Sequence, residues 1–194
     1  MYVILEGIDG SGTSTQIKLL KEQLEKKNIS CAITCEPTYS EIGSLVRKYL
    51  KKEDANEYTH ALLFAADRLE HEQFVSKLEE DYSIVISDRG IGSSIAYQSQ
   101  TCGIDFTLSI NQQARGPDLV ILLSLPVETA LSRISDRKEF DRFEKSEFLK
   151  KVSLEYESLS EFLDCVHIVN SDAAIEDVTD ECIKIILNKF LELQ

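Results

Sequence analysis

Gly7-Ile8-Asp9-Gly10-Ser11-Gly12-Thr13-Ser14 is the stretch that decides the fold. It follows the apolar run Tyr2–Leu5, which predicts a buried strand, and it precedes Ser14–Lys27, where apolar residues recur at helical spacing. A strand, a glycine-rich turn and a helix in this order are typical of a phosphate-binding loop. The glycines let amide N–H groups and the helix N-terminus face an anion. Ser14 stands where such a loop supplies a hydroxyl to Mg²⁺.

One position of this stretch departs from the phosphate-loop pattern. The motif G-x-x-x-x-G-K-[ST] carries a lysine that contacts the β- and γ-phosphates, and here that position is Thr13. For this stretch alone, a glycine turn that binds no ligand is therefore an open alternative. The rest of the chain has to decide between the two interpretations.

The composition indicates one α/β-sized domain without a basic binding surface. The chain has 194 residues and 43% hydrophobic content, which suffices for one sizeable core. Its net charge of −13 argues against nucleic acid and anionic membranes as partners, whereas a few local arginines can still bind a small phosphate. We see no secretory leader and no run long enough to span a membrane. The five scattered cysteines suggest reduced thiols, so we expect a cytoplasmic protein.

Strands and helices alternate along the rest of the chain. Apolar runs predict further strands at Ser30–Cys35, Tyr82–Ser87, Leu119–Leu125 and Val166–Val169. Helical spacing predicts helices at 39–52, Glu57–Glu80, 105–115, Val127–Ser135, Lys145–Leu163 and Ala174–Leu191, the last capped by Asp172. The glycine-rich residues 90–103 predict a loop with room for one helical turn. This order predicts a three-layer α/β/α fold, with a five-stranded parallel sheet and helices on both faces.

Three chemically suggestive groups follow the first three predicted strands. They are the glycine-rich stretch, Glu36, and the pair Asp88-Arg89. Ligands of parallel sheets bind at the carboxyl ends of the strands, so these groups are expected to meet. Asp88 is placed like a Walker B acid that holds Mg²⁺, although a turn or cap residue is the alternative. Candidate phosphate clamps, each of which alone is more often a surface ion-pair partner, are Arg47, Arg68, Arg89, Arg137 and Arg142.

Taken in order, the motifs resemble those of the thymidylate kinases, which are P-loop nucleoside-monophosphate kinases. The matching pieces are Leu5–Gly12, Ser14–Gln16, Glu36–Thr38, Gly43–Arg47, Leu63–Arg68, Asp88-Arg89, Ser93-Ser94, Ala96–Gln98, Pro117–Leu119 and Asp141–Glu144. The resemblance covers essentially the whole chain and implies a P-loop NTPase fold in one domain over 1–194. It also implies a mobile lid at about 136–146, for which a solvated charge run is the alternative.

The resemblance implies an activity and an assembly. The enzyme would transfer the γ-phosphate of ATP to dTMP with Mg²⁺, giving dTDP and ADP for dTTP biosynthesis. It would be a homodimer. Two alternatives stay open: a catalytically weak or inactive nucleotide-binding homologue, and a kinase for a related nucleotide such as dUMP.

The resemblance also implies roles for individual residues. Catalysis would depend on Asp9, Glu36, Arg89, Arg137 and Arg142. ATP would be bound by Gly7, Gly10, Ser11, Gly12, Thr13, Ser14, Thr15 and, along the adenine, Arg133. The dTMP site would comprise Asp9, Glu36, Arg47, Phe64, Arg68, Arg89, Ser94, Tyr97 and Gln98. In it, Phe64 would stack on thymine, and Arg47 and Arg89 would hold the phosphate. The metal ligands would be Ser14, Asp88 and Glu36.

Three positions depart from the pattern of that family. Thr13 replaces the loop lysine, and Cys35 replaces an arginine before Glu-Pro. Another cation would have to replace the lysine, and the lid arginines are the first candidates. Gly90 replaces the tyrosine or histidine that follows Asp-Arg and crowds the ribose 2′-position in the family. We therefore hypothesise weaker discrimination between deoxyribonucleotides and ribonucleotides.

Overall fold

A single parallel sheet organises the protein. The computed structural model describes residues 1–52, 54–134 and 142–194, with 142–145 described by their backbone alone. In these ranges five strands are found: β1 Tyr2–Glu6, β2 Cys31–Cys35, β3 Ile84–Asp88, β4 Leu119–Ser124 and β5 Val166–Asn170. Their order across the sheet is β2-β3-β1-β4-β5, and every pairing is parallel. The predicted five-stranded parallel sheet is therefore confirmed.

Helices cover both faces of this sheet. They are α1 Thr13–Lys26, α2 Glu41–Tyr49, α3 Glu57–Asp81, α4 Ile91–Ser93, α5 Ser99–Cys102, α6 Ile104–Asn111, α7 Val127–Ile134, α8 Arg142–Glu157 and α9 Ile175–Glu192. A π-helical turn at Ser94–Gln98 joins α4 to α5, and a 3₁₀ turn at Leu159–Glu161 follows α8. No helix in the described part of the chain is long and apolar enough to cross a membrane.

The two faces of β1 show how the three layers form. Val3 and Leu5 pack in the core beneath α1 and α9, while Tyr2 and Ile4 face the other layer. Successive strand side chains point to opposite faces, so a strand that is apolar at its first four positions must be covered on both sides. Burying one such aliphatic side chain contributes roughly 1.5–3 kcal/mol.

Side-chain caps fix the starts of two helices beside the site. The Ser40 hydroxyl accepts a hydrogen bond from Gly43 N at 3.0 Å and caps α2. The side-chain oxygen of Asn56 accepts a hydrogen bond from Thr59 N at 3.0 Å and caps α3. A cap of this kind stabilises a helix by about 1 kcal/mol because it satisfies an amide that has no partner within the helix.

Some local predictions were wrong. Residues 90–103 were expected to form a loop with at most one helical turn, but 91–102 are helical throughout, and Ile95 and Ala96 within them are fully buried. Asp172 does not cap α9, whose N-cap is Ala174 without a side-chain bond. Instead, Asp172 lies 3.9 Å from the Arg133 guanidinium. In both places, contacts with distant elements replaced the local preference on which the prediction depended.

Candidate active site

The phosphate loop connects β1 to α1 and lines an open cavity of about 710 Å³. Gly10 has φ 89°, and a Cβ there would lie 2.5 Å from the Ala130 carbonyl oxygen. Gly12 is the N-cap of α1 with φ 98°, so the chain turns into the helix through a conformation that favours glycine. The cavity is therefore bordered by a helix N-terminus, which favours an anion.

Most of the predicted ATP-binding residues border this cavity. They are Gly10, Ser11, Gly12, Thr13, Ser14, Thr15 and Arg133, whereas Gly7, directly after β1, does not line it. Thr13 is the first residue of α1 and is buried. It brings no charge to the position where the motif has lysine. Arg133 lies on the far side, where it donates to the carbonyl oxygens of Gly10 at 3.3 Å and Ser171 at 3.2 Å.

Two oxygen donors suited to a divalent cation meet at the carboxyl end of β3. The Ser14 hydroxyl donates a hydrogen bond of 2.7 Å to Asp88 Oδ2. Mg²⁺ is commonly held by one or two protein oxygens together with waters and substrate phosphates, and this pair fits that pattern. Within the described ranges, no group of three or more His, Cys, Asp or Glu side chains could hold a metal without such help.

Glu36, the third predicted metal ligand, is held in a buried ion cluster. Its Oε2 accepts hydrogen bonds from Arg68 Nε at 3.1 Å and Nη2 at 2.8 Å, and its Oε1 lies 3.0 Å from His71 Nδ1. His71 Nε2 in turn lies 2.7 Å from the Thr34 hydroxyl. Burial alone would raise the pKa of Glu36, but Arg68 and His71 outweigh it and hold this pKa below its usual range. Both carboxylate oxygens are therefore already paired.

Arg68 links this cluster to the segment after β3. Besides Glu36, its guanidinium donates to the Gly90 carbonyl at 3.0 Å, the Ser94 hydroxyl at 2.9 Å and the Asn111 side-chain oxygen. Ser94 is buried at the π-helical turn. The structure thus brings Glu36, Arg68 and Ser94 together in one buried hydrogen-bonded group.

Two further predicted arginines reach the site from different elements. Arg47, on α2, donates to the carbonyl oxygens of Pro37 and Thr38, and its guanidinium lies 4.5 Å above the Tyr39 ring. Arg89 follows β3 with φ 71°, and its Nη2 donates to Asp9 Oδ1 at 2.6 Å. Both arginines border the phosphate-loop cavity. A side chain other than glycine at positive φ is uncommon and is often found at functional sites.

A second cavity, of about 460 Å³, adjoins the first, and we call it the aromatic cavity because the rings of Phe64, Tyr97 and Phe148 line it. Asp9, Glu36, Pro37 and Arg89 border both cavities. Predicted dTMP-site residues that line the second cavity are Phe64, Arg68, Tyr97 and Gln98. Flat rings together with polar side chains suit a planar heterocycle joined to a phosphate at the boundary with the first cavity.

Sequence reasoning missed several residues that border this aromatic cavity, among them Leu50, His60, Ser93 and Phe148. The His60 ring lies 5.1 Å from the Phe64 ring, and its Nε2 is buried without a hydrogen-bond partner in the described structure. Burial lowers the pKa of His60 and favours the neutral ring. Its position one helical turn before Phe64 was the signal that could have identified it.

Part of the predicted site lies outside the described residues. Arg137 and most of the lid predicted at about 136–146 fall in that gap. Arg142 is described only as the first residue of α8. Their roles stay predictions.

Comparisons with known proteins agree on one family. The family model for thymidylate kinase matches residues 5–182. A probable thymidylate kinase of Methanobrevibacter smithii is 45% identical over 160 residues, which cover 80% of this chain and 79% of that protein. Probable thymidylate kinases of Methanococcus aeolicus and Pyrococcus horikoshii are 41% and 38% identical and cover 97% and 99% of this chain and 96% and 98% of their own lengths.

Proposed function

The chain belongs to the thymidylate kinase family of nucleoside-monophosphate kinases, and on that premise we propose that it phosphorylates dTMP to dTDP with ATP and Mg²⁺. One observation carries the proposal. The cavity lined by the phosphate loop and the aromatic cavity share a border formed by Asp9, Glu36, Pro37 and Arg89. A donor phosphate on one side and an acceptor phosphate on the other would meet at that border.

The donor side is proposed to bind ATP through the loop amides and the N-terminus of α1. Ser14 and Asp88 would hold Mg²⁺, which when bound neutralises charge on the donor phosphates. Arg133 would lie along the adenine, next to the end of the cavity lined by Ser171 and Ile175. These assignments are supported by the residues that border the cavity.

The acceptor side is proposed to bind dTMP with its base against Phe64 and its phosphate near Arg47 and Arg89. Tyr97 and Gln98 would complete the base site, and Asp9 would contact the sugar. Glu36 would act chiefly by fixing Arg68, since both of its oxygens are paired. An aromatic pocket with a few fixed polar groups selects a base because a wrong base leaves buried polar groups unpaired, at roughly 1–3 kcal/mol each.

Little covalent chemistry is then required of the protein. A phosphate oxygen of dTMP attacks the γ-phosphorus, the bond to the β–γ bridging oxygen breaks, and ADP leaves with that electron pair. The chain contributes alignment of two anions and neutralisation of their repulsion. A cytoplasmic location, a homodimer and a single domain over 1–194 belong to the same proposal. A catalytic lid at about 136–146, with Arg137 and Arg142, stays a prediction from the family resemblance.

Thr13 favours the second candidate, a nucleotide-binding homologue with little or no turnover. A lysine at this position makes contacts that strengthen in the transition state, and their loss lowers the rate by on the order of 10²-fold. Against this reading, Arg47, Arg89 and Arg133 border the same cavity and bring positive charge to it.

Steady-state ADP production with MgATP and dTMP tests the proposal, with the natural chain compared to Thr13→Lys and Thr13→Gln. We expect dTMP-dependent turnover by the natural chain, and a rise of at most about 10²-fold with lysine. Glutamine has similar length without charge and should give no rise. Binding of dTMP without turnover would support the inactive homologue, and faster turnover of dUMP than of dTMP would support the related kinase.

A further inference from the structure

Glu6, the last residue of β1, is a fully buried carboxylate directly before the phosphate loop. Its Oε1 accepts hydrogen bonds from the backbone amides of Gly90 and Ser93, both at 2.9 Å. Its Oε2 accepts from the hydroxyls of Ser93 at 2.7 Å and Tyr156 at 3.0 Å. Burying a carboxylate is costly unless its oxygens are paired, and here four donors pair them.

The two hydroxyls on Oε2 also reach Arg89. Arg89 Nη1 lies 3.2 Å from the Tyr156 hydroxyl and 3.3 Å from the Ser93 hydroxyl. The carboxylate of Glu6 and the guanidinium of Arg89 are therefore bridged by two hydroxyl groups. The other guanidinium nitrogen, Nη2, contacts Asp9 at the border of the two cavities.

We propose that Glu6 and Tyr156 are positioning residues that hold the Arg89 guanidinium at the border between the donor and acceptor cavities. Arg89 needs such support because its backbone is in the uncommon left-handed region and its side chain is long. A guanidinium that is held before substrate arrives loses less conformational freedom on binding, so its contact with phosphate is stronger. The proposal rests on the proposed function in one respect, since it takes Arg89 to contact the acceptor phosphate.

Conservative variants can separate positioning of Arg89 from packing of the protein core. Tyr156→Phe keeps the ring in its buried cluster and removes only the bridging hydroxyl. Glu6→Gln can keep its carbonyl oxygen toward the Gly90 and Ser93 amides, but its NH₂ group cannot accept from the two hydroxyls. Tyr82→Phe is the control for loss of a tyrosine hydroxyl, because Tyr82 lies between α3 and β3, at the end of the sheet away from the cavities.

The test combines dTMP binding by calorimetry with NMR of the arginine side chains. We expect Tyr156→Phe and Glu6→Gln to weaken dTMP binding about tenfold, as loss of a charge-assisted contact would. Tyr82→Phe should change it less than twofold. In an Arg89→Ala background, Tyr156→Phe should add less than a further twofold, because its effect passes through Arg89. The Arg89 Nε–H resonance should broaden and exchange faster with water in both site variants.

The outcomes separate this inference from the proposed function. An unchanged Arg89 resonance and dTMP affinity in Tyr156→Phe would overturn the positioning role, whatever the kinase assay shows. So would an undiminished effect of Tyr156→Phe in the Arg89→Ala background. Conversely, a chain that binds dTMP without producing ADP contradicts the proposed function, while the resonance and the double-mutant comparison still decide the role of Glu6 and Tyr156.

Discussion

At the scale of single residues, two buried carboxyl groups on either side of β3 have opposite pKa shifts. Arg68 and His71 hold the pKa of Glu36 below its ordinary value of 4.5, against the effect of burial. Glu6 has no such ion pair in the described structure, and burial raises its pKa although Ser93, Arg89 and Tyr156 oppose the rise. The partners of a buried glutamate therefore decide whether its pKa is raised or lowered.

These shifts predict opposite pH dependences of stability. Glu36 stabilises the folded state above pH 4.5, and this contribution is lost as pH falls through its lowered folded pKa. Glu6 acts in reverse: folded stability declines as pH rises from 4.5 through its raised folded pKa. Urea unfolding between pH 3.5 and 7 should show the stability advantage of the natural chain over Glu36→Gln growing with pH, and that over Glu6→Gln shrinking. Parallel slopes for the two variants would contradict this assignment.

The cavity border gives a second residue-scale prediction, on sugar recognition. Gly90 has an extended backbone that any residue can adopt, but a Cβ there would lie 2.6 Å from Ile4 Cδ1. Ile4 thus occupies the space that a larger residue would need. We expect the kcat/KM of the natural chain for the ribo-analogue of dTMP to lie within about tenfold of its kcat/KM for dTMP. A tenfold difference corresponds to the free energy of about one hydroxyl contact. Gly90→Tyr combined with Ile4→Val should widen that gap, and Ile4→Val alone should not.

A preference for dTMP well beyond tenfold in the natural chain would show that other residues exclude the 2′-hydroxyl.

The residues found from sequence and those missed differ in a physical way. Ser14, Asp88 and Arg89 were identifiable because strand ends of a parallel sheet converge, so position in the chain predicts position in space. Tyr156 was not, because it meets Arg89 only through the docking of α8, 67 residues later in the chain. The pairing of Ser94 with Arg68 was hidden for the same reason, since it joins the π-helical turn to α3.

At the scale of elements, periodicity found the strands and the long helices but not the segment between β3 and α6. Residues 90–103 carry three glycines and several short polar side chains, which predict a loop with room for one helical turn. Long-range contacts stabilise their helical conformation. Glu6 accepts hydrogen bonds from the amides of Gly90 and Ser93, and Arg68 donates hydrogen bonds to the Gly90 carbonyl and the Ser94 hydroxyl. Buried charged partners supplied from other elements are not visible in the local pattern.

The turn between β2 and α2 gives an element-scale prediction. Asp67, buried on α3, accepts from Thr38 N at 2.7 Å, Thr38 Oγ1 at 2.5 Å and Ser40 Oγ at 3.1 Å. Arg47 donates hydrogen bonds to two carbonyl oxygens of this anchored turn. Asp67→Asn cannot accept at both oxygens, so we expect the turn to loosen and the KM for dTMP to rise roughly fivefold, with the KM for ATP unchanged.

Asp118→Asn is the matched control for Asp67→Asn. Asp118 likewise accepts a backbone amide, Tyr2 N at 2.6 Å, but at the opposite end of the sheet from the cavities. Equal KM changes in the two variants would mean that general destabilisation, and not the turn, controls dTMP binding.

At the scale of the whole molecule, one face of α3 is unaccounted for by the single chain. Two sides of α3 differ: Ala61 and Ala65 are buried against the protein, whereas Leu62 and Leu69 are 51% and 39% exposed. Seven residues apart, these two leucines lie on the same side of the helix, and Tyr58 extends that side. Exposed apolar stripes of this kind mark protein–protein contacts, and a second copy of the chain would offer an identical stripe across a two-fold axis.

We therefore expect the chain to be a dimer that depends on this face of α3. Sedimentation equilibrium at micromolar concentration should give twice the 21.9 kDa chain mass for the natural protein. Leu62→Glu with Leu69→Glu should give the monomer, because like charges would face each other where a stable interface needs roughly 800 Å² of mainly apolar surface on each side. Leu154→Glu, at an equally conspicuous leucine of α8 that is 65% exposed, should leave the dimer intact. A monomeric natural chain would contradict the dimer. Dissociation by the α8 variant alone would place the interface on α8 and not on α3. Since Phe64 and Arg68 lie on the same helix as the stripe, loss of the dimer should also weaken dTMP binding more than ATP binding.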